Sequence, residues 1–231
     1  MGISPAEAMA SNSWEGDMRK TKFLMMAVTG MLLMTAGNAR AGVVDHETFK
    51  GTFAFANFSI DAAETCADGT AGTLNTFVNV FGNQSRTSSR VFPSESLNSV
   101  SVSVITSDSC TGLSTLTFGQ VSGGFAASAT RTATLNATVP LADDLGNPAG
   151  TAIVALTLKR TLVTSVFNDH VKEIQLDTGT GTLTIQQHLT GKSAEATATG
   201  SLVVNGIQFA GALTSAGIVQ ESTGSVDIQK K

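Results

Sequence analysis

The sequence predicts an all-β domain, an antiparallel β-sandwich of about nine to eleven short strands, with a soluble β-barrel as the alternative. Three observations predict this class. Apolar and polar residues alternate along several segments, turn residues separate these segments, and no stretch after Ala41 sustains the 3.6-residue apolar period of a helix. Threonine, serine and valine, which fit a pleated surface, are frequent throughout.

The first strong feature of the chain is an export signal. Residues 19–22 carry three basic side chains, residues 23–37 are apolar except for two threonines, and Ala39-Arg40-Ala41 has the small-x-small pattern of a cleavage site. The apolar run is shorter than the ~20 residues that a membrane-spanning helix needs. We therefore expect a signal peptide over residues 18–41, cleaved between Ala41 and Gly42, and a secreted or periplasmic bacterial protein.

The residues on either side of this signal divide the rest of the chain. Residues 1–17 contain three acidic residues and no Lys or Arg, which opposes the charge pattern of an export signal. We interpret them as an upstream extension that is disordered or precedes the natural start at Met18. Residues 42–231 are predicted to form a single all-β domain, since sandwiches of about 200 residues are common as one unit.

Two cysteines, Cys66 and Cys110, remain in the predicted domain. A lone pair in an exported chain is typical of a disulfide. Closing a loop of about 45 residues stabilises a fold by roughly 4 kcal/mol in the chain-entropy model. A zinc site is the weaker interpretation, because neither cysteine has another Cys or His at ligand spacing.

Five segments show the alternation that predicts half-buried strands. Each places its apolar residues on one face, and the sets are Phe49, Phe53 and Phe55; Val100, Val102 and Val104; Leu135, Ala137, Val139 and Leu141; Ala152, Val154, Leu156 and Leu158; Leu183, Ile185 and Leu189. Phenylalanines after Phe23 lie mostly at such inward-pattern positions, so we expect them in the core.

Turn signals separate the strands. Asn205-Gly206 lies between two apolar runs and predicts a type I′ hairpin, whose two central residues both need positive φ. Other reversals are expected at Asp68-Gly69, Gly123-Gly124, Gly146-Asn147-Pro148 and Asp177-Thr178-Gly179.

Composition excludes some partners. The formal net charge of the chain is −4 and no basic cluster is visible after Ala41, which argues against nucleic acid or an anionic membrane surface as a partner. A transmembrane barrel needs aromatic girdles, and the part after Ala41 has neither Tyr nor Trp to form them. We therefore predict no membrane span in residues 42–231, and an extracellular partner of unknown kind.

No motif assigns a catalytic, cofactor or metal residue. The nucleophile elbow, the metalloprotease helix and the phosphate-binding glycine loops are missing from the sequence. The three histidines, His46, His170 and His188, are interpreted as surface or strand residues, although His46 with its acidic neighbours and His170 could bind a cation. Asp143-Asp144 suggests calcium, but a charged turn explains the same residues.

The order of several segments resembles a group of secreted bacterial all-β proteins of unknown function. The resemblance covers most of the chain from Phe49 to Ile228, and its segments are TFVNVFG, SVSVSVITSDSCTG, ATLNATVPLADD, GTAIVALTLKRT, FNDHVKEI, SAEATATGSLVVNG and STGSVDI. It implies an all-β fold and secretion, and no activity. Leu158 and the single His170 stand where the group has a tryptophan and more histidines.

Three functions fit these observations. The first, which we favour, is a non-enzymatic surface, matrix or binding protein whose loops face a partner. The second is a secreted hydrolase whose site would join His170 or His188 to a carboxylate or hydroxyl. The third is a fimbrial-type subunit completed by a donated strand.

Overall fold

Ten β-strands make up the computed structural model, which describes residues 45–90, 93–177, 182–209 and 211–230. The extension over residues 1–17, the signal peptide over residues 18–41 and the cleavage site between Ala41 and Gly42 lie outside the described residues. The strands are β1 (Asp45–Thr65), β2 (Ala71–Ser88), β3 (Glu95–Asp108), β4 (Ser114–Ser122), β5 (Phe125–Ser128), β6 (Thr132–Ala142), β7 (Pro148–Asp177), β8 (Thr182–Val204), β9 (Ile207–Gln208) and β10 (Leu213–Lys230).

The sheet closes into an antiparallel barrel of eight strands. Its order is β10-β1-β2-β3-β4-β6-β7-β8, and β10 also pairs with β8, so the last strand joins both ends of the sheet. The seam between β4 and β6 has one paired position, Phe118 with Ala142. The predicted class and strand number are confirmed. The sandwich that we placed first is corrected to the barrel alternative, because the C-terminal strand returns to the first strand.

Alternation explains which residues fill the barrel. The predicted inward sets on β3 (Val100, Val102 and Val104) and on β7 (Ala152, Val154, Leu156 and Leu158) are buried, as are Leu135, Val139 and Leu141 on β6. On β8 the side chains of Leu183 and Ile185 lie outside the described residues. Leu189 is buried, but it alternates with Thr190 of the cavity lining and is not part of the core cluster, so its predicted inward position is wrong. A period of two therefore predicted the barrel interior on β3, β6 and β7.

The phenylalanines of β1 depart from the prediction. Phe49, Phe53 and Phe55 share one face, but it is the outer face, since Ala54 and Ala56 between and beyond them are fully buried. The ring of Phe53 stacks on the rings of Phe49 and Phe81, with centroids 6.2 and 5.9 Å away. Packing of these rings against one another therefore replaces the expected core packing.

The predicted type I′ hairpin is confirmed between β8 and β9. Asn205 and Gly206 have φ angles of 50° and 82°. Asn205 also links this turn to β7, because its side-chain oxygen accepts a hydrogen bond of 2.9 Å from the Thr151 backbone N–H. Of the other predicted turns, residues 178 and 179 lie outside the described residues.

The disulfide between Cys66 and Cys110 is confirmed, with a Cα–Cα distance of 5.2 Å. It joins the turn after β1 to the turn after β3, and both turns lie at the same end of the barrel because β1 and β3 run in the same direction. Gly72 packs against both sulfur atoms, so a larger residue there would clash. The described ranges contain no helix long and apolar enough to cross a membrane.

Candidate functional site: a polar cavity in the barrel mouth

The end of the barrel opposite the disulfide opens into a cavity of about 710 Å³. We call this end the mouth; β1 begins there and β2 ends there. Six strands contribute to the lining, which places the cavity inside the closed sheet. Its residues are Lys50, Gly51 and Thr52 of β1; Gln84, Ser85 and Arg86 of β2; Ser96, Leu97 and Asn98 of β3; Val166 of β7; Thr190, Gly191 and Lys192 of β8; and Gln220, Glu221 and Ser222 of β10.

Strand register arranges the inward side chains of β10, β1, β2 and β3 in three rows. The rim row pairs Ser222, Lys50, Arg86 and Ser96; the middle row pairs Gln220, Thr52, Gln84 and Asn98; the floor row pairs Ile218, Ala54, Gly82 and Val100. The named side chains of the floor row are fully buried. Polarity therefore decreases with depth, from charged to uncharged polar to apolar.

The wall formed by β7 and β8 adds one further cation. Lys192 pairs with Val166, which is 71% exposed although its register places it on the inward face. Thr190, two residues from Lys192 on the same face of β8, meets the Ser222 hydroxyl at 3.0 Å. That contact places Lys192 beside the rim and middle rows. Three cations, Lys50, Arg86 and Lys192, therefore line one cavity.

A clamp around Phe125 closes the cavity beneath β2 and β3. The Asn98 side chain donates from Nδ2 to the Phe125 carbonyl oxygen at 2.8 Å and accepts at Oδ1 from the Phe125 N–H at 3.2 Å. The buried Phe125 ring occupies the space that a side chain at position 82 would need, so glycine is required at Gly82. Asn98 therefore supports the floor of the cavity as well as lining its wall.

Glu221 is the acidic residue among the lining residues, and its register places the side chain on the outer face. It pairs with Gly51, whereas the inward residues Lys50 and Thr52 pair with its two neighbours on β10. Burial raises the pKa of the Glu221 carboxyl. The inward side of the mouth is therefore cationic among the described side chains.

The histidines predicted from the sequence lie elsewhere. His170 of β7 and His188 of β8 occupy directly paired positions, and the ring Nε2 of His188 donates to Asn168 Oδ1 at 3.0 Å. His46 lies on β1 opposite Asp227. The side chains of His46 and His170 lie outside the described residues. The structure thus brings two of the three histidines together in the β7–β8 ladder, outside the cavity lining.

Asp143, the first residue of the candidate calcium pair, is already engaged in a turn. Asp143 accepts hydrogen bonds from the N–H groups of Leu145 and Asn147 at 3.0 and 2.7 Å, so it closes a turn, and the bonds from Asn147 lower its pKa. This geometry favours the turn interpretation over calcium.

A group of possible metal ligands near the disulfide consists of Glu64, Asp108 and Cys110. The Cys110 sulfur is bonded to Cys66 and offers no thiolate. Burial and a hydrogen bond to Asp108 raise the pKa of Glu64, whereas backbone and side-chain hydrogen bonds from Thr111 lower that of Asp108. The two carboxyls therefore favour one shared proton.

Sequence reasoning missed the cavity because its cations are distant in the chain. Lys50, Arg86 and Lys192 belong to three strands, and none lies in a basic cluster. One local signal was available: on the inward face of β1, the polar residues Lys50 and Thr52 precede the buried Ala54. A strand that changes from apolar to polar on its inward face indicates an opening in the core.

Comparisons with known proteins add little. No protein-family model matches the chain, and no curated protein matches its sequence. The chain is similar to a solved structure from Nitrosomonas europaea, provisionally assigned as AttH, with 10% sequence identity and a TM-score of 0.21. The match covers 84% of this chain and 57% of that protein, so the chain spans a little over half of its length. A TM-score this low carries no argument about function.

Proposed function

We propose that this chain is a non-enzymatic binding protein that holds a small molecule in the mouth of its barrel. The observation that carries the proposal is the open cavity of about 710 Å³ whose polarity falls from rim to floor. Small-molecule sites commonly have volumes of about 300–1,000 Å³ and combine an apolar part with a few polar groups. From the sequence we expected the loops to contact the partner. In this proposal the ligand instead enters the barrel through the mouth.

We also propose that the protein is exported as a single domain over residues 42–231, after removal of residues 18–41. The disulfide between Cys66 and Cys110 supports this, because disulfides persist in oxidising compartments. The bridge lies at the end opposite the mouth, where it holds two turns together without obstructing ligand entry.

Two alternatives from the sequence receive less support. A hydrolase would place an acid–base pair in the cavity, yet the described inward side chains there are cations, amides, hydroxyls and Val166. A fimbrial-type subunit needs an open groove for a donated strand. In this barrel β10 already fills the position between β1 and β8.

A cavity-blocking substitution tests the binding function. Thr52 lies in the middle row and faces inward, so Thr52→Trp places an indole in the cavity. Thermal unfolding is followed for the unmodified protein with a panel of small organic acids, alcohols and amines. A ligand that binds only the folded state at about 100 times its Kd adds about 2.7 kcal/mol and raises the Tm. We expect at least one panel member to raise the Tm of the unmodified protein and to have no effect on Thr52→Trp.

The matched control is Thr138→Trp, which places the same indole on the exposed face of β6. It should respond to ligand as the unmodified protein does. A panel without any active member, or an equal Tm increase in Thr52→Trp, would show that the mouth cavity is not a binding site.

A further inference from the structure

We propose that the mouth cavity selects an organic oxyanion, a carboxylate or a phosphate monoester, and that Lys50 and Arg86 bind its charged group. This inference rests on the proposed binding function and adds the chemical class of the ligand. It follows from the placement of three cations in a cavity of a chain whose net charge is negative.

Lys50 and Arg86 are directly opposite each other on β1 and β2. Both occupy inward positions of the rim row, where directly paired residues have Cβ atoms about 5 Å apart. Like charges in such a pair destabilise a sheet, and a bound anion would offset this repulsion. Both side chains are exposed at the mouth, and neither has an ion-pair partner among the described residues. An oxyanion between them would neutralise the repulsion and accept hydrogen bonds from both.

Lys192 adds a third positive charge on β8, which is separated from β1 by β10. It lies on β8, one step along the inward face from Thr190, whose hydroxyl contacts Ser222 of the rim row. Like the other two cations, it has no ion-pair partner in the described part of the chain. A group bound at Lys50 and Arg86 therefore lies in a cavity that holds a third cation, and a cavity lined by charges of one sign attracts ligands of the other.

The remaining lining constrains the rest of the ligand. Beneath the rim row lie the two glutamine amides of the middle row, Gln84 and Gln220, and beneath them the apolar floor around Ala54. Val166 presents an exposed apolar surface beside Lys192. A short hydrocarbon chain can pass the amides and reach the floor, whereas inorganic phosphate would leave the lower cavity to water. The geometry therefore points to an oxyanion attached to a small organic body.

The experiment is isothermal titration calorimetry of the full chain with four probes of similar length: hexanoate, hexyl phosphate, hexan-1-ol and hexylammonium. We expect the two anions to bind and the alcohol and the amine to bind at least tenfold more weakly. Lys50→Gln and Arg86→Gln should each weaken anion binding roughly tenfold to a hundredfold, as expected when a charged hydrogen-bond partner is removed. Affinity should also fall as salt rises, because the rim is open to solvent.

Lys159→Gln is the matched control, because Lys159 is an exposed lysine at an outward position of β7. It should retain full anion affinity. Circular dichroism should show all three variants folded, and removing one charge of the rim pair should leave the ligand-free Tm unchanged or raised. Equal affinity for hexanoate and hexan-1-ol would overturn the anion assignment and leave the binding function intact. Equal weakening by Lys159→Gln would also overturn it, whereas no binding of any of the four probes would contradict both proposals.

Discussion

Asn98→Ala should loosen the floor of the cavity by removing the two hydrogen bonds that hold Phe125. The substitution leaves the Phe125 N–H and carbonyl without the partners that they now have at 3.2 and 2.8 Å. Each polar group left unsatisfied costs about 1–3 kcal/mol, with the lower values expected for a half-buried site beside an open cavity. We therefore expect the free energy of unfolding to fall by about 2–3 kcal/mol, which corresponds to a Tm lower by about 5–10 °C for a domain of this size.

Urea unfolding followed by far-ultraviolet circular dichroism measures this change. The midpoint should fall while the m-value stays constant, because the same surface is exposed on unfolding. Ser96→Ala, one row nearer the mouth on the same inward face of β3, is the control and should alter stability by less than about 0.5 kcal/mol. If Asn98→Ala changes stability no more than Ser96→Ala does, the clamp on Phe125 does not support the barrel.

Three further predictions concern the opposite end of the barrel and the N-terminus. Replacing both Cys66 and Cys110 with alanine should lower the free energy of unfolding by up to about 4 kcal/mol, measured by urea unfolding, and no change would contradict the loop-closure argument. Burial and Asp108 raise the pKa of Glu64, so its proton-bound form stabilises the fold at low pH and this contribution is lost as the pH rises through the raised pKa. Glu64→Gln should therefore be more stable than the unmodified protein near pH 7, with a smaller difference or none near pH 4, whereas a constant difference at both pH values would refute the assignment. Intact-mass analysis of exported protein should give a chain that begins at Gly42, and a chain that retains the apolar run would refute the cleavage prediction.

Local pattern predicted the strands because a strand needs only its own neighbours to bury one face. Val100, Val102 and Val104 follow a strict period of two, and the barrel buries all three. The Asn205-Gly206 turn was predictable for a similar reason, since its positive φ angles need only the two residues themselves. Short-range chemistry therefore determined these features.

Closure of the barrel depends on contacts that no local pattern reports. β10 pairs with both β1, which is far from it in the sequence, and β8, which lies at the other end of the sheet. A strand in a barrel and a strand in a sandwich show the same alternation of apolar and polar residues, so the pattern cannot distinguish the two folds. The outer position of Phe53 has a related cause. Its ring packs on those of Phe49 and Phe81, an arrangement that needs the neighbouring strand in its final register.

The cavity also depends on strand register, which brings residues of four strands to the same depth in the barrel. The inward face changes from apolar to polar between Ala54 and Thr52 on β1, and the paired positions on β10, β2 and β3 change in the same row. Strand ends cannot explain this change, because pairing between β1 and β2 continues beyond it, through Lys50 with Arg86 to Thr48 with Ser88. Polar side chains thus face inward from strands that are still hydrogen-bonded to each other. A closed sheet that extends past its apolar core must enclose a polar space there, and the positive charge of that space follows from Lys50, Arg86 and Lys192 together.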